Sequence, residues 1–451
     1  MQVAKLNLEL PFPADSLLDV RFQQFISNPI GKLYLTIPFQ ELAAQFPPKK
    51  YRCGVKPIFT IAGGIGLMFL KSYTGLSDEK LVENLNANWM YQMFCGIRLG
   101  AGQMIRDRGI ISRWRVFLGQ HLDLESLQKT LINHWSSEME HTQINLSDAT
   151  CYESYIRYPT DVKLLWEGID WLHTQMCQLC NYSKTRHPRN KYRTVKKAYL
   201  SYSKKRRKTY KKRRSMTRRL LYLLHKLLGQ ISPLIGYWQI QTQMGLPSPV
   251  AKNFFQTLRT IKQMYRQQQW HFDRPDVPIK QRIVSLFKPY LRPIVRGKEN
   301  KRVEFGMKVH KMVVGGLSFI EYWDFEAFHE GNRMKRTVWK HRSYFGTLHQ
   351  FSGDRIYATN KNRTFSKQQG IFHSFQPKGR PGKQASQQAQ MRNLLNKERA
   401  TVLEGSFGNE KNHYALSKIK ARTAHTEAVW IFFGIMCANG VKIAKKPKPP
   451  P

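Results

Sequence analysis

From Trp171 to Phe272 the chain contains no Asp or Glu, a run of 102 residues. Within it, residues 184–219 (KTRHPRNKYRTVKKAYLSYSKKRRKTYKKRRSMTRR) place 18 Lys or Arg in 36 positions. With no acids interspersed, these charges cannot neutralise one another along a helix, so the segment reads as more than a solvated face. Nor can it build a site for a hard divalent ion, which needs carboxylate oxygens. The next stretch, RRLLYLLHKLLGQISPLIGYW, has helical apolar spacing, and helical patterns continue to about residue 290. We expect a basic helical insertion over 161–293. Its cations Lys204, Lys205, Arg206, Arg207, Lys211, Lys212, Arg213 and Arg214 suit phosphate, with Tyr192, Tyr199, Tyr202 and Tyr210 available to pack on sugars or bases. The bland alternative is a flexible basic tether that gathers counter-ions.

The rest of the chain does not offset this charge: 74 Lys and Arg face 30 acids over 451 residues, a formal net charge of +44. Self-repulsion on that scale points to a polyanionic partner. Nucleic acid is preferred to an acidic membrane surface, because the apolar run FTIAGGIGLMFL (59–70) is too short to span a bilayer and reads as a buried helix. A hydrophobic content of 41% excludes a wholly disordered chain, and the length suggests two domains or one with a large insertion. No secretory pattern opens the sequence, and six scattered cysteines make no disulfide framework, which fits a reducing compartment. Cys177 and Cys180 form a lone CxxC, either a zinc or redox pair or two small apolar residues on a helix.

Residues 31–140 look helical, with caps at Ser77 and Asp123. Between them RDRGIISRWR (106–115) could lay a helix on DNA or form an ordinary solvated face. A strand in INLSDATCYES (144–154) is expected to end at Asp148. After residue 293, VEFGMKVH and LSFIEYWDF alternate as strands around a Gly-Gly break. A helix (NRMKRTVWKHRSYF), a strand ending at Asp354, a strand IFHSF and a basic KGRPGK loop follow, then helices at about 392–420 and 424–441. The expected fold is α/β (α+β), a mixed sheet flanked by helices. Its domains are a helical 1–140, a core over 141–440 interrupted by the 161–293 insertion, and a disordered tail, 441–451.

Three carboxylates would suffice for phosphodiester chemistry with two divalent ions. Asp148 and Asp354 sit where strands give way to polar loops, the edge at which α/β sites form. Glu404 shares a helix face with Phe407 and Lys411, so its carboxylate is expected to aim at the sheet. Glu153, Asp161, Asp324, Glu326 and Glu330 are rivals, and spacing alone leaves Asp324 and Asp354 both open. His329 and His413 lie near this set and read as surface or structural residues.

DATCYESYIRYPTD, GDRIYATNKNR and EGSFGNEKNHYAL together resemble the catalytic segments of bacterial insertion-sequence transposases of the DDE type. SYTGLSDEKLVENLNANWMYQMFCG is similar to the helical region preceding the core in many of these enzymes, and the likeness spans most of residues 30–440. The resemblance implies an RNase H-like core, with Asp148, Asp354 and Glu404 as catalytic acids and metal ligands. It prefers Asp354 to Asp324, since an aromatic follows the second acid in that family, matched here by Tyr357, which with Lys411 and Arg399 is expected among the DNA contacts. It further implies two magnesium ions, or manganese in their place, and double-stranded transposon-end and target DNA as partners. A dimer or higher assembly on DNA, no membrane, and a cytoplasmic, nucleoid-associated location complete the expectation. The implied activity is that of an endonuclease and polynucleotidyl transferase. Two alternatives are an inactive basic DNA-binding descendant of a transposase and a metal-dependent nuclease without strand joining.

The family's signature helix carries Tyr, Arg, Glu and Lys with two, three and six residues between them. Lys411 has the right distance from Glu404. Arg399 has four intervening residues rather than three, and Asn396 stands where the Tyr would be, which puts the DNA grip of both in question.

Overall fold

In the N-terminal part, helices form where the apolar spacing asks for them. The FTIAGGIGLMFL run becomes Ile61–Thr74: the Thr60 hydroxyl accepts from the Gly63 N–H at its start, and Gly75 (φ +64°) closes it in the left-handed conformation. Apolar side chains nearly all round bury it on every face. Ser77 and Asp123 cap Asp78–Ala87 and Leu124–His134 as their sequence positions suggest. RDRGIISRWR supplies part of Ile110–Gln120, but Trp114 and Arg115 turn inward, Arg115 making a bidentate pair with Asp78 (2.9 and 3.2 Å). This segment therefore offers less basic surface to a partner than its composition suggested.

The structure, a computed structural model, describes residues 17–49, 57–100, 102–243, 253–295, 303–379 and 385–446. It divides into two units, residues 1–155 with 306–451, and residues 156–305.

Six strands are present among the described residues: β1 (Ile144–Glu153), β2 (Pro293–Val295), β3 (Val303–Val314), β4 (Leu317–Asp324), β5 (Gln350–Gly353) and β6 (Phe372–His373). In the first unit the order is β4-β3-β1-β5-β6. The β4-β3-β1 part is antiparallel, and β1-β5 and β5-β6 are parallel. This is a mixed α/β sheet of RNase H-like order flanked by helices. Gly315 and Gly316, at φ +55° and +78°, make the β3–β4 turn that only residues tolerating positive φ allow. One expectation is corrected here: β1 does not end at Asp148 but runs five residues further, because Ala149–Glu153 pair with Gly306–His310 of β3.

β4 lies at an edge of this sheet, and two buried side-chain amides close it. Gln128 donates to the Ile320 carbonyl (2.9 Å) and accepts from its N–H (2.6 Å), and Asn439 does the same for Ser318 (2.8 Å each). The peptide groups are satisfied without exposing a pairing template. Asn439 belongs to Ala424–Ala444, a helix apolar and long enough to cross a membrane, yet 78% buried over its most apolar window and packed here as a core helix. It shares one hydrophobic core with the N-terminal helices and with β3 and β4.

The expected helix at 392–420 is interrupted. It consists of Ala385–Glu398, a π-helical turn at Arg399–Leu403, and Glu404–His413; residues 414–423 leave the helical path, and Ile419 bridges to Ser154. The last helix extends to Ala444, so 441–444 are not tail; residues 447–451 and most of KGRPGK (380–383) fall outside the described residues.

The second unit carries four long helices, Asp161–Tyr182, Tyr192–Lys204, Tyr210–Gln243 and Phe254–Asp273, around its own core of Leu165, Ile169, Leu220, Leu224 and Ile261. β2 pairs antiparallel with Val303–Phe305 at the start of β3. Cys177 and Cys180 lie on the first of these helices, Cys180 fully buried, and among the described residues no three His, Cys, Asp or Glu side chains are grouped to hold a metal.

Candidate active site

β1 and β5 run parallel with Leu146 beside Ser352 and Ser147 beside Gly353. The next residue on each is an acid. β5 stops at Gly353, where an added Cβ would lie 2.8 Å from the Tyr357 ring. Asp354 then caps a 3₁₀ turn, its Oδ1 accepting from the Arg355 N–H at 2.6 Å. A mid-strand acid and an end-of-strand acid thus become neighbours at the carboxyl end of β5, the kind of edge at which α/β sheets form sites.

Asp148 is only 19% exposed and accepts from the Ala149 N–H at 2.7 Å. Burial pushes its carboxyl up to about 6, and the Glu330 and Asp354 carboxylates add to the rise, against the Ala149 N–H and Arg399. Glu330, one of the rival acids, thus acts on Asp148 through its charge, and it pairs with Lys308 at 2.7 Å. Nothing in its local pattern marks it, since it enters through a 3₁₀ turn (Glu330–Arg333) after β4.

Glu404 does not aim into the core. The buried side of Glu404–His413 is made by Glu410, with Phe407 against Leu146 and Val313, and Lys411 donating to the Thr150 hydroxyl at 2.9 Å. Glu404 sits at the margin of that face, its side chain 50% exposed. It reaches the cluster through Arg399, whose Nη1 is 3.0 Å from Glu404 Oε1 and 3.4 Å from Asp148 Oδ2. The four-residue gap between Arg399 and Glu404 is absorbed by the π turn, in which the Glu404 N–H bonds the Arg399 carbonyl five residues back. The wider turn returns position i+5 to the face that i+4 holds in an α-helix, so the extra residue does not carry Arg399 away from the acids.

Two buried networks fix the surroundings. Lys311, directly across β3 from Asp148, bonds Glu410 (2.5 Å) and Ser406 (2.8 Å), while the Tyr152 hydroxyl donates to the same Glu410, tying the Glu404 helix to the sheet. On the other side, the fully buried Tyr357 hydroxyl meets His310 Nε2 at 2.6 Å, His310 Nδ1 lies 2.9 Å from Glu321, and Arg333 grips Glu321 with two bonds (2.7 and 2.8 Å). Tyr357, expected among the DNA contacts, is instead fully buried beneath the site, its hydroxyl engaged by His310. Of the other rivals, Glu153 pairs with Lys418, Asp161 with Arg282, and Asp324 accepts from the Tyr322 hydroxyl and caps Glu326, which is itself exposed. His329 and His413 are exposed.

Among the described residues no three acids are grouped closely enough to hold a metal, though carboxylate oxygens are what hard divalent ions take, and the buried Asp148 beside other carboxylates wants a positive counter-charge. At present the Arg399 guanidinium supplies it between Asp148 and Glu404, so a cation there requires Arg399 to move. In the second unit, Lys204, Lys205, Arg206, Arg207, Lys211, Lys212 and Arg213 are exposed, and Arg214 is half-buried over the Phe272 ring. Tyr192 and Tyr199 are not free to meet a partner as expected. Tyr192 is buried, bonded to Asp170 (2.6 Å) and stacked on His173, while Tyr199 stacks on Trp166 at 4.7 Å.

Comparison with known families finds two matches, one on each side of the second unit. Residues 352–438 match the family described as "Transposase DDE domain", and residues 20–116 match "Transposase domain (DUF772)". No curated protein and no solved structure matches the chain.

Proposed function

We propose that this chain, whose residues 352–438 and 20–116 match transposase families, is a DDE-type insertion-sequence transposase that cuts DNA at the ends of its element and joins them to a target. The observation supporting a catalytic site at this place is the meeting of Asp148 and Asp354 on adjacent parallel strands, with Glu404 linked to Asp148 through one guanidinium. Asp148, Asp354 and Glu404 would hold two magnesium ions. Such ions activate the attacking oxygen and stabilise the leaving one. Water attacks the phosphorus at the element's end, the bond to the 3′ oxygen breaks, and that oxygen leaves as a hydroxyl. The 3′ hydroxyl then attacks a target phosphodiester, forming a new bond to phosphorus as the target's own 3′ oxygen departs.

Lys411 and Arg399 hold non-bridging phosphate oxygens in this reading. Arg399 exchanges Asp148 and Glu404 for phosphate, which frees both carboxylates. The exposed cations of the second unit bind double-stranded DNA, and pairing of two ends calls for at least a dimer on DNA. The test is cleavage and joining of end-containing DNA by Asp148→Asn, Asp354→Asn and Glu404→Gln proteins, each expected to lose more than about 100-fold, beyond what residues merely supporting a ligand cost. Asp324→Asn should stay active. Wild-type rates in any of the three would remove that residue from the site, and an inactive Asp324→Asn beside an active Asp354→Asn would reassign the second acid.

A further inference from the structure

The second unit holds a cleft of about 670 Å³, within the range of small-ligand sites and far too small for a duplex. Aromatic rings and cations line it together. Tyr158 and Tyr210 are 64% and 56% exposed there. Cations lie on the rings: Arg213 is 5.6 Å from the centre of Tyr210, Lys208 is 5.8 Å from Tyr202, and Arg214 is 4.5 Å from Phe272 while donating to the Tyr210 hydroxyl at 3.2 Å. One acid, Asp161, also lines the cleft, and Arg282 pairs with it at 2.6 Å. His271, on the same wall, has a buried Nδ1 with no hydrogen-bond partner among the described residues.

This pairing of surfaces is selective. An exposed tyrosine face rewards a flat ring laid on it, and neighbouring cations reward a negative charge attached to that ring. A nucleotide combines the two. In a duplex, however, bases show only their edges in the grooves, and their faces are taken up by stacking. The solvated cations on the helix surface need only phosphates, whereas this recess offers ring faces that paired DNA cannot use.

We propose that the cleft takes a single unpaired nucleotide of a DNA strand, its base against Tyr158 and Tyr210 and its phosphate on Arg213 and Lys208. The proposal deepens the reading of this unit as DNA-binding and does not depend on the acids of the other unit.

The full chain in EDTA, where no cutting occurs, is titrated with labelled (dT)12, with a 12-base-pair duplex and with dTMP at fixed salt. Tyr210→Ala and Tyr158→Ala should each weaken (dT)12 binding about tenfold and leave the duplex affinity and the salt slope unchanged. Tyr210→Phe keeps the ring and should stay within about twofold of the parent. Equal losses for single strand and duplex, or no loss in either, would overturn the proposal. So would dTMP binding as tightly as (dT)12, which would make the ligand a free nucleotide. A chain that binds duplex with steep salt dependence and ignores (dT)12 overturns this inference and leaves the function proposed above standing. If it binds neither, the DNA reading of the unit falls with it.

Discussion

Glu321 is nearly buried, and burial alone would raise its carboxyl. The Arg333 bonds and the His310 contact outweigh that and hold it down at about 2. A depressed folded value means that the unfolded chain takes up a proton first as pH falls. The carboxylate therefore stabilises fully above about pH 4.5, and the contribution is lost between about 4.5 and 2, roughly 3 kcal/mol in all. Glu321→Gln should lose about that much in urea unfolding at pH 7 and flatten the acid limb of the stability profile; an unchanged acid limb would place the charge elsewhere. At this scale the sequence was partly readable. Asp148 and Asp354 stood out because acids are scarce and both follow strand-like residues. Glu321 did not, because it is the extra residue of a β-bulge, β3 stepping from Tyr322 to Ile320 across His310 and Lys311. A bulge re-aims one side chain through pairing that a single strand's pattern does not contain. The exposure of Glu404 escaped for a related reason: i, i+3 and i+7 name a face but not its margin, and Glu410 made the true centre.

At the scale of the element, the Glu404 helix is positioned by charge as much as by apolar packing. Lys311 and Glu410 are both fully buried, and their pair, with Tyr152, is what seats the helix on β1 and β3. Removing one member leaves the other buried and unpaired, whereas replacing all by apolar residues of similar size can be neutral. Glu410→Leu should therefore cost about 3–5 kcal/mol in urea unfolding. Lys311→Met, Glu410→Leu and Tyr152→Phe combined should recover most of the loss; a triple variant as weak as the single would show that packing and not charge is at stake. The π turn before this helix belongs to the same scale. Read as an α-helix, the spacing sets Arg399 off by one residue. A π turn adds that residue without moving the face, and no local signal in RATVLEG announces it.

At the scale of the whole molecule, the chain separates its two kinds of charge. Residues 156–305 hold 34 Lys and Arg against 7 acids, so a third of the length carries +27 of the net +44. That partition was legible, because a long acid-free run cannot be hidden by folding. What the sequence hid was the company kept by the N-terminal helices: apolar periodicity shows that they bury a face but not against what, and they share a core with the last helix and the sheet. The two stretches that match transposase families, 20–116 and 352–438, therefore lie in one unit, though the second unit separates them in sequence.

The excursion leaves the sheet and returns to it at nearly one place: Glu153 pairs with Gly306, and the second unit begins three residues after Glu153. Strand ends so close can be joined by a short hairpin loop, so a chain with 156–305 replaced by Asn-Gly, which leaves four residues between Glu153 and Gly306, should keep the β1–β3 ladder. The expected protein unfolds in one cooperative transition. If the excised cations carry the phosphate contacts, the full chain loses about 10³–10⁵ in duplex affinity between 50 and 200 mM salt, as for 6–10 contacts, and the shortened chain shows a much shallower slope. An unchanged slope would move those contacts onto the first unit. An unfolded product would mean that the ladder needs more from the inserted residues than a bridge between its ends.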